Sequence, residues 1–238
     1  KKIVICSPQL GLSPKSVLGG EVFDREILLG LASHGFEIEI ILPKGKKRDQ
    51  YVKNWRVTSM PVPHFPALFA NVLYLPQVFS LFKENKFKIL RLHQPQFLLL
   101  CALFLKVLKL DVKTIATYHQ FRETNFLFFS KLVNNSWDYI ICDSQNVKEK
   151  LIDKYELPQD KITVVHNGVP TFLKPTKKNK VLLDKFELKG NFVLLYMGFF
   201  SKRKNPLFMV DVLSNLIKKD KNVVLIYWGK GELKQEII

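Results

Sequence analysis

Short apolar runs alternate with longer amphipathic segments along most of this chain. The run Ile3 to Cys6 is followed by an amphipathic segment, Glu21 to Ser33, and then by a second apolar run, Phe36 to Leu42, that ends at Pro43. Apolar runs of this length are typical of buried strands, and their alternation with helical patterns is typical of βαβ units. The pattern therefore predicts an α/β fold built on a Rossmann-like, doubly wound parallel sheet.

The same alternation extends along the rest of the chain. Further strands are predicted at Arg56–Met60, Ile89–His93, Thr114–Tyr118, Tyr139–Cys142, Ile162–Val165, Phe192–Met197 and Val223–Trp228. Further helices are predicted at Ala67–Lys83, Phe97–Leu108, Thr124–Asn134, Ser144–Tyr155, Pro206–Lys218 and from Glu232 onward. Two residues mark helix ends, because Ser144 is a suitable N-cap and Gly35 suits the left-handed position that closes the first helix.

Turn-forming residues divide the chain. The run Asn167–Pro170 interrupts the α/β pattern, and a polar stretch with a further proline follows it, which favours a linker. We therefore expect a Rossmann-like domain over residues 1–168, a linker leading into a second domain over 169–190, and part of a second Rossmann-like domain over 191–238. One strand–helix–strand unit does not complete a doubly wound domain, so the second domain is expected to be incomplete in this sequence.

The chain is strongly basic. It carries 37 Lys and Arg residues against 21 Asp and Glu residues, which gives a formal net charge of +16. Such a charge could attract an anionic membrane surface or a nucleic acid, or could reflect lysine enrichment alone. Because 31 of the basic residues are lysines scattered along the sequence, the composition argues against nucleic-acid binding, for which clustered arginine with interleaved aromatic residues is typical. Peripheral contact with an anionic membrane stays open.

Three cysteines, Cys6, Cys101 and Cys142, lie far apart within apolar runs. Neither a disulfide framework nor a zinc-binding spacing is present, which favours a reducing compartment. No stretch has the roughly 18 consecutive apolar residues that are typical of a membrane span. We therefore expect a cytoplasmic protein, with contact at the inner face of the membrane as a further expectation, and neither a metal nor a cofactor.

Candidate binding residues lie where predicted strands end, because ligands of doubly wound sheets bind beyond the carboxyl ends of the strands. Gly19 and Gly20 precede the first helix, where glycine lets the backbone approach a ligand and helix N-terminal amides attract anions. A flexible loop ahead of a helix is the alternative interpretation. His119 directly follows the strand that ends at Tyr118, where it could contact a substrate hydroxyl or serve a structural role, and His93 ends the neighbouring strand.

A basic loop lies in the second α/β segment. The cations Lys202–Lys204 follow Gly198 between a predicted strand and a predicted helix, and the pair Asn205–Pro206 suits the N-cap and first position of that helix. Basic side chains beside a helix N-terminus make an anion site suited to a diphosphate, although a solvated lysine-rich loop has the same composition. Gly229 and Gly231 lie in the next strand-to-helix turn, which alone is a weak signal because such turns are common in this fold.

Taken in order, these segments resemble the retaining family-four group of GT-B glycosyltransferases over almost the whole chain. The most specific match is Lys161–Val169, which is similar to the hinge between the two domains of that group. The other segments that carry the resemblance are Leu18–Glu21, Leu31–Ile38, Thr117–His119, Asp138–Ser144, Tyr196–Asn205 and Trp228–Leu233. No single segment is decisive, and the resemblance depends on the ordered set.

The resemblance implies a GT-B enzyme that transfers a sugar from a nucleotide-diphosphate sugar to a glycan or lipid-linked acceptor, with retention and without a metal. It also implies that the second domain holds the donor and the first domain holds the acceptor. Lys204, with Arg203 beside it, would stabilise the leaving diphosphate, and His119 would lie near the reacting sugar. The backbone positions implied to bind the donor and its phosphates are Gly19, Gly20, Gly198, Gly229 and Gly231.

Two features depart from the family pattern. Phe199 stands where the family often has an arginine after Gly198, so one phosphate contact is expected to be missing. The family's pair of glutamates falls beyond Ile238, and the resemblance therefore implies a C-terminally truncated chain. Because those glutamates hold the donor ribose and assist at the sugar, this 238-residue chain is expected to bind the donor weakly and to be inactive alone.

Two other functions stay open on the sequence alone. A nucleotide-sugar epimerase of the same fold shares the expected donor site but releases an epimerised free sugar. A basic, non-enzymatic module for anionic lipid or nucleic acid would show salt-dependent binding without a preference for nucleotide sugars. The ordered glycines at predicted strand ends argue against the second, because a module that binds by charge has no need of them.

Overall fold

Helices and strands alternate along the chain, and the strands form two separate sheets. The computed structural model describes residues 3–8, 19–42, 56–59, 69–93, 95, 98–121, 127–169, 174, 176–219 and 222–237. The chain divides into two compact units, Lys1–Gly168 and Val169–Ile238.

The first unit is built on a seven-stranded parallel sheet. Its strands are β1 (Val4–Pro8), β2 (Glu37–Leu42), β3 (Arg56–Ser59), β4 (Ile89–Leu92), β5 (Lys113–Tyr118), β6 (Tyr139–Cys142) and β7 (Ile162–Val164). They lie in the order β3-β2-β1-β4-β5-β6-β7, and every neighbouring pair is parallel. The strand order reverses between β1 and β4, which is where doubly wound sheets bind ligands.

Helices connect these strands. They are α1 (Gly19–Ser33), α2 (Ala70–Leu73), α3 (Leu75–Asn85), α4 (Leu99–Val107), α5 (Leu127–Ser136) and α6 (Gln145–Tyr155), and a 3₁₀ turn, Gln159–Lys161, precedes β7. The prediction of a single helix over Ala67–Lys83 is wrong in one respect, because the structure has two helices there, α2 and α3. Pro76 lies in the first turn of α3, where its missing N–H interrupts the helical hydrogen bonds and a new helix begins.

Two helix ends confirm the predicted capping residues. The Ser144 hydroxyl accepts a hydrogen bond of 3.4 Å from a backbone N–H in the first turn of α6. Gly35 closes α1 with a φ of 89°. The Gly35 N–H donates to the Ala32 carbonyl at 3.1 Å, and the Phe36 N–H donates to the Leu31 carbonyl at 3.2 Å. These two bonds form a Schellman motif, which turns the chain from α1 into β2.

Apolar side chains cover both faces of the large sheet. On β2, Ile40 and Leu42 pack in a cluster with Leu28 of α1. Ile41, between them, belongs to a larger cluster that contains buried side chains of α3, α4, α5 and α6. Because successive strand side chains point to opposite faces, helices cover the sheet on both sides. The first unit is therefore a three-layered, doubly wound α/β domain.

The three cysteines are buried and none of them forms a disulfide, with Cys6 in β1, Cys101 in α4 and Cys142 in β6. Burial raises the pKa of the Cys101 and Cys142 thiols to about 12, and it raises the pKa of Cys6 well above its usual value. All three thiols are therefore protonated at neutral pH and act as small apolar core residues.

The second unit contains α7 (Lys180–Lys185), β8 (Phe192–Phe199), α8 (Phe208–Ile217), β9 (Val223–Lys230) and α9 (Lys234–Ile237). β8 and β9 pair in parallel along their whole lengths and are connected through α8. Helix α7 lies within the stretch 169–190 that the sequence predicted as a linker. Its N-cap is Asn179, whose Oδ1 accepts hydrogen bonds of 3.0 and 3.3 Å from the backbone N–H groups of Val181 and Leu182.

The two faces of the β8–β9 pair differ. On one face, Met197 and Trp228 are 75% and 70% exposed. On the other face, Tyr227 packs against Tyr196 and Phe200, with ring centroids 5.4 and 5.8 Å away. The strand pair therefore has one packed aromatic face and one exposed apolar face among the residues described.

A buried ion pair joins α1 to the large sheet. Arg91 of β4 donates from Nη1 to Oδ1 of Asp24 in α1, and the two side chains are only 6% and 1% exposed. Charges buried this deeply persist only as a pair, because an ion without its partner loses hydration and gains nothing in return.

Asp24→Asn is expected to destabilise the first unit by about 3–5 kcal/mol, because Arg91 stays charged in a buried position and loses its counter-ion. Urea unfolding followed by circular dichroism measures this change. Asp111→Asn is the matched control, since it breaks an ion pair with Lys88 whose side chains are 54% (Lys88) and 86% (Asp111) exposed. The control should leave the unfolding midpoint unchanged. A wild-type midpoint for Asp24→Asn would show that the buried pair is dispensable.

Candidate functional site

Three polar side chains follow three neighbouring strands at the carboxyl edge of the large sheet. His93 follows β4, His119 follows β5 and Asp143 follows β6. These strands are consecutive in the sheet, and β4 borders the point at which the strand order reverses. The structure thus brings together both histidines that the sequence singled out, at the edge where ligands of this fold bind.

The two histidine rings are in direct contact and are called the histidine pair below. Nε2 of His119 lies 3.1 Å from Nδ1 of His93, and the ring centroids are 4.6 Å apart. Nδ1 of His119 lies 3.3 Å from Oδ2 of Asp143. The ring of Phe23, from α1, meets the His119 ring edge-on at a centroid distance of 4.6 Å. Both nitrogens of His119 therefore have protein partners, which fixes the orientation of the ring.

His93 is held by the buried ion pair and by the start of α1. Its Nδ1 lies 3.6 Å from Oδ1 of Asp24, the carboxylate that also pairs with Arg91. A Cβ atom added to Gly20 would lie 3.2 Å from Nε2 of His93, which is tighter than an ordinary contact. A glycine at this position lets the first turn of α1 lie directly against the imidazole ring.

Gly19 and Gly20 form the first turn of α1 rather than a loop ahead of it. The sequence placed the start of this helix at Glu21, because two successive glycines are weak helix formers. The contact between Gly20 and His93 gives a packing reason for the second glycine, whereas a Cβ atom on Gly19 would meet nothing within 4 Å. The amides of both residues lie in the first helical turn, where N–H groups have no partner within the helix.

Burial is the largest influence on His93 and lowers its pKa to about 4. The nearby Asp24 carboxylate opposes this shift, while His119 and Arg91 lower the pKa further. His93 is therefore uncharged at neutral pH and carries a single ring proton. In its contact with His119, one nitrogen must donate and the other must accept.

Sequence reasoning missed Asp143, Asp24 and Arg91. Asp143 directly follows β6, the same strand-end position that identified both histidines, and this position was the available signal. Arg91 lies inside an apolar strand, where a charged side chain indicates a buried partner. Nothing local identifies Asp24 as that partner, because the two residues are 67 positions apart.

The cations Lys202–Lys204 of the second unit form a 3₁₀ turn, called the basic turn below, that closely follows β8. Two side chains hold the backbone of this turn in place. The Tyr196 hydroxyl donates to the Lys204 carbonyl at 3.3 Å, and the Lys202 N–H donates to the Glu232 carboxylate at 3.4 Å. All three cationic side chains are exposed, so the turn presents concentrated positive charge at the surface.

Asn205 does not cap α8, and the prediction that it does is wrong. Asn205 has a φ of 46° and ends the 3₁₀ turn, while α8 begins at Phe208 with Leu207 as its N-cap. Asparagine enters the left-handed region more readily than most residues, so it suits this reversal of the chain. The basic turn is thus separated from the first turn of α8, and the expected coincidence of cations with that helix start is not observed.

Gly229 and Gly231 allow the end of β9 and the residue after it to lie close to the end of β8 and Phe200. A Cβ atom on Gly229 would fall well inside contact distance of the Gly198 carbonyl and 2.8 Å from Cε1 of Phe200. One on Gly231 would lie 2.6 Å from the backbone nitrogen of Phe200. A Cβ atom on Gly198 would meet only the Tyr196 ring, at 3.6 Å. Packing alone therefore requires glycine at positions 229 and 231, and their predicted contact with a donor stays a prediction.

Within the described ranges, no group of three or more His, Cys, Asp or Glu side chains is arranged to hold a metal ion. No helix in that part of the chain has the length and apolar character needed to cross a membrane.

Gly229→Ala is expected to destabilise the β8–β9 pair by about 1–3 kcal/mol, because the added methyl group forces the two strands apart. Faster amide hydrogen exchange in both strands is the measurement. Gly198→Ala, at the paired position of β8, is the matched control and should exchange like the wild type. Equal protection in the two variants would contradict the close approach.

His93 is expected to make the folded chain less stable in acid. The unfolded chain takes up a proton at this histidine near pH 6.5, whereas the folded chain does so only near pH 4. Stability therefore falls as the pH decreases between these values. His93→Asn removes this contribution, so the loss of unfolding free energy between pH 7 and about pH 4.5 should be smaller than in the wild type by about 2 kcal/mol.

Urea unfolding at the two pH values measures the difference between wild type and His93→Asn. The exposed residue His34, at the end of α1, provides the control His34→Asn, which should keep the pH dependence of the wild type. An identical pH dependence in the wild type and in His93→Asn would show that His93 is not held in its uncharged form.

Comparison of the sequence with protein families identifies a match. Residues 17–172 match the profile described as Glycosyltransferase Family 4. No curated protein sequence matches the chain.

Several solved structures are similar to this chain. Anabaena Alr3699/HepE, in complex with UDP, superposes with a TM-score of 0.71 and 16% identity over 99% of this chain and 63% of its own. A glycosyltransferase from Rickettsia africae ESF-5 superposes with a TM-score of 0.67 and 17% identity over 99% of this chain and 62% of its own. A putative UDP-N-acetylglucosamine 2-epimerase from Listeria monocytogenes superposes with a TM-score of 0.56 and 13% identity over 95% of this chain and 62% of its own.

At these identities the similarity concerns the fold, and it confirms the GT-B architecture predicted from the sequence. The chain spans just over three-fifths of the length of these three structures. The family match covers more than half of the chain and includes the histidine pair, Asp143 and the segment Lys161–Val169. On this match, the chain belongs to Glycosyltransferase Family 4.

Proposed function

We propose that this protein transfers a sugar from a nucleotide-diphosphate sugar to a glycan or lipid-linked acceptor, with retention at the anomeric carbon. The observation that carries the proposal is the histidine pair, which lies beside the point where the strand order reverses in a domain of a glycosyltransferase family. The His119 side chain is 23% exposed, so a sugar bound at this edge can reach it.

The donor is assigned to the nucleotide-diphosphate sugars on two grounds. A similar structure, that of HepE, holds UDP and glucose. In this chain, the exposed basic turn Lys202–Lys204 offers the cations that a diphosphate needs, and arginine and lysine are the side chains that bind phosphate oxygens best. UDP is therefore the first nucleotide to test, with GDP as the comparison.

The reaction requires stabilisation of the charge that grows on the diphosphate as its bond to the sugar breaks. We assign this task to Lys204 and Arg203, because cations already in place stabilise such a leaving group without reorganisation. First-turn amides of α1, at Gly19 and Gly20, supply further donors suited to phosphate. This assignment uses protein groups alone, and it requires neither a metal nor a cofactor.

The remaining glycines are assigned to the donor side. Gly198, Gly229 and Gly231 lie at or just after the carboxyl ends of β8 and β9, where a backbone without side chains allows close approach of a nucleotide. Phe199 is 50% exposed at the position where the family often carries an arginine. Phosphate binding is therefore proposed to depend on the basic turn more strongly than in a protein with that arginine.

The net charge of +16 supports peripheral contact with an anionic membrane surface, where a lipid-linked acceptor would be found. We accordingly place the protein in the cytoplasm, at the inner face of the membrane. Salt-dependent binding to anionic vesicles, compared with neutral vesicles, distinguishes this placement from one in which the charge has no role.

A second candidate function is epimerisation of a nucleotide sugar. The observation in its favour is the similar fold of the putative UDP-N-acetylglucosamine 2-epimerase from Listeria monocytogenes. The two reactions differ in their products, because a transferase moves labelled sugar to an acceptor and an epimerase releases free epimerised sugar. Product analysis with a radiolabelled donor separates them.

Calorimetric titration of UDP, GDP and their sugars into this chain, and into the full-length gene product if the gene encodes further residues, tests the donor class. We expect saturable binding of one nucleotide diphosphate. Lys204→Ala should weaken it by about 10- to 100-fold, because a charge-assisted hydrogen bond to phosphate is lost. In sugar transfer, the same substitution should lower the rate by ~10²–10³.

Lys219→Ala is the matched control, since Lys219 is an exposed lysine of the second unit beyond the end of α8. It should bind nucleotide like the wild type. If no nucleotide binds and the chain binds tightly to anionic vesicles or oligonucleotides, the proposal is wrong. The protein would then be a basic binding module. Sugar transfer by the 238-residue chain alone would contradict the expectation that it is inactive by itself.

A further inference from the structure

The contacts around the histidine pair determine which nitrogen of His119 carries its proton. We propose that His93 is a positioning residue for His119, to which it donates a hydrogen bond that holds His119 in the tautomer protonated at Nδ1. The catalytic meaning of this role rests on the proposed function. The tautomer itself depends only on residues of the first unit.

Asp24 determines which nitrogen of His93 is protonated. Nδ1 of His93 lies 3.1 Å from Nε2 of His119 and 3.6 Å from Oδ1 of Asp24. A proton on Nδ1 faces two acceptors, whereas a bare Nδ1 would turn its lone pair toward the Asp24 carboxylate. Because the Asp24 side chain is 1% exposed, solvent does little to screen that repulsion. His93 is therefore the donor in its bond to His119.

Asp143 accepts the proton-bearing nitrogen of His119 as a hydrogen-bond donor. Nδ1 of His119 lies 3.3 Å from Oδ2 of Asp143, and a carboxylate oxygen accepts from a ring N–H. Because Nε2 of His119 accepts from His93 and so carries no proton, the ring proton lies on Nδ1 and is donated to Asp143. Nδ1 of His166 lies 3.1 Å from the backbone carbonyl of Asp143, which helps to hold this segment.

Charged and titratable groups face His93 from each neighbouring element. They are Asp24 and Glu21 of α1, Arg91 of β4 and His119 after β5. The carboxylate of Asp24 is itself paired with Arg91. Since burial keeps His93 uncharged at neutral pH, the direction of its hydrogen bond is set by the arrangement of these groups and not by a second proton.

The two hydrogen bonds of His119 decide what its ring offers a sugar. Each imidazole nitrogen makes one hydrogen bond in the ring plane, and both are engaged, Nε2 with His93 and Nδ1 with Asp143. The hydrogen bond at one imidazole nitrogen fixes the chemistry of the other. A sugar that reaches His119 therefore meets the carbon edge or the face of a ring held in one orientation, and His93 acts on the sugar through this placement, without contacting the sugar itself.

Nitrogen NMR of the histidine-labelled chain tests the tautomer directly, because protonated and bare ring nitrogens have well-separated chemical shifts. At pH 7, His119 of the wild type is expected to be protonated at Nδ1. His93→Leu removes the donor, and the signals of His119 are expected to shift toward the Nε2–H form that predominates in free histidine. His93→Asn places an amide donor near the position of Nδ1 and should preserve the wild-type tautomer.

His34→Leu is the matched control, because it removes an exposed histidine and should leave the His119 signals unchanged. An Nε2–H tautomer of His119 in the wild type would overturn the proposal, and so would an unchanged tautomer in His93→Leu. The wild-type spectrum alone can refute the proposal, which keeps it testable if the leucine variant does not fold.

Sugar transfer by the full-length gene product gives the functional readout. The kcat/KM of His93→Leu is expected to fall by about 10- to 100-fold through misplacement of His119, and His93→Asn should recover most of the loss. If the wild type transfers no sugar while the tautomers behave as expected, the proposed function fails and the structural role of His93 stands. If the wild type transfers sugar and His93→Leu keeps its full kcat/KM, the positioning role fails alone.

Discussion

The ion pair between Asp24 and Arg91 is the contact on which the candidate site depends. It connects α1 to β4, one of the two strands between which the strand order reverses. A buried pair contributes little net stability, because the loss of hydration offsets most of its attraction, but it tolerates few alternative geometries. It therefore fixes how α1 lies against the sheet, with Gly20 and Phe23 against the imidazole rings. The charge that orients His93 is supplied by the same carboxylate.

Much of the fold could be predicted because its signals are local. The bounds of β6 follow from an apolar run with polar neighbours, and the ends of α1 and α6 follow from Gly35 and Ser144. Errors arise where one residue fits two local structures. Asn205 before a proline suits a helix N-cap, yet the structure uses its tolerance of a positive φ to end the basic turn. Helix α7 has only six residues and follows a lysine-rich stretch, so its sequence is too short to show apolar periodicity and resembles a linker.

The candidate site could be predicted only in part, for a related reason. A histidine directly after a buried strand is visible in the sequence, and the parallel sheet then dictates that two such residues meet. The residues that orient the pair lack such a signal. Asp24 lies in the middle of a helix, and its relation to Arg91 and His93 arises only when α1 packs on the sheet. The protonation of a buried histidine, which depends on these neighbours, is likewise beyond local patterns.

The burial of all three cysteines has a practical consequence for studies of the second unit. Thiol reagents attack the thiolate, and buried thiols that stay protonated at neutral pH react slowly with them. A single cysteine introduced on the surface is therefore the fast-reacting one, with no need to remove the native three. Replacing a residue of the basic turn, such as Lys202, attaches a fluorophore or spin label there. Its signal then reports whether the surroundings of this turn change when a nucleotide is added.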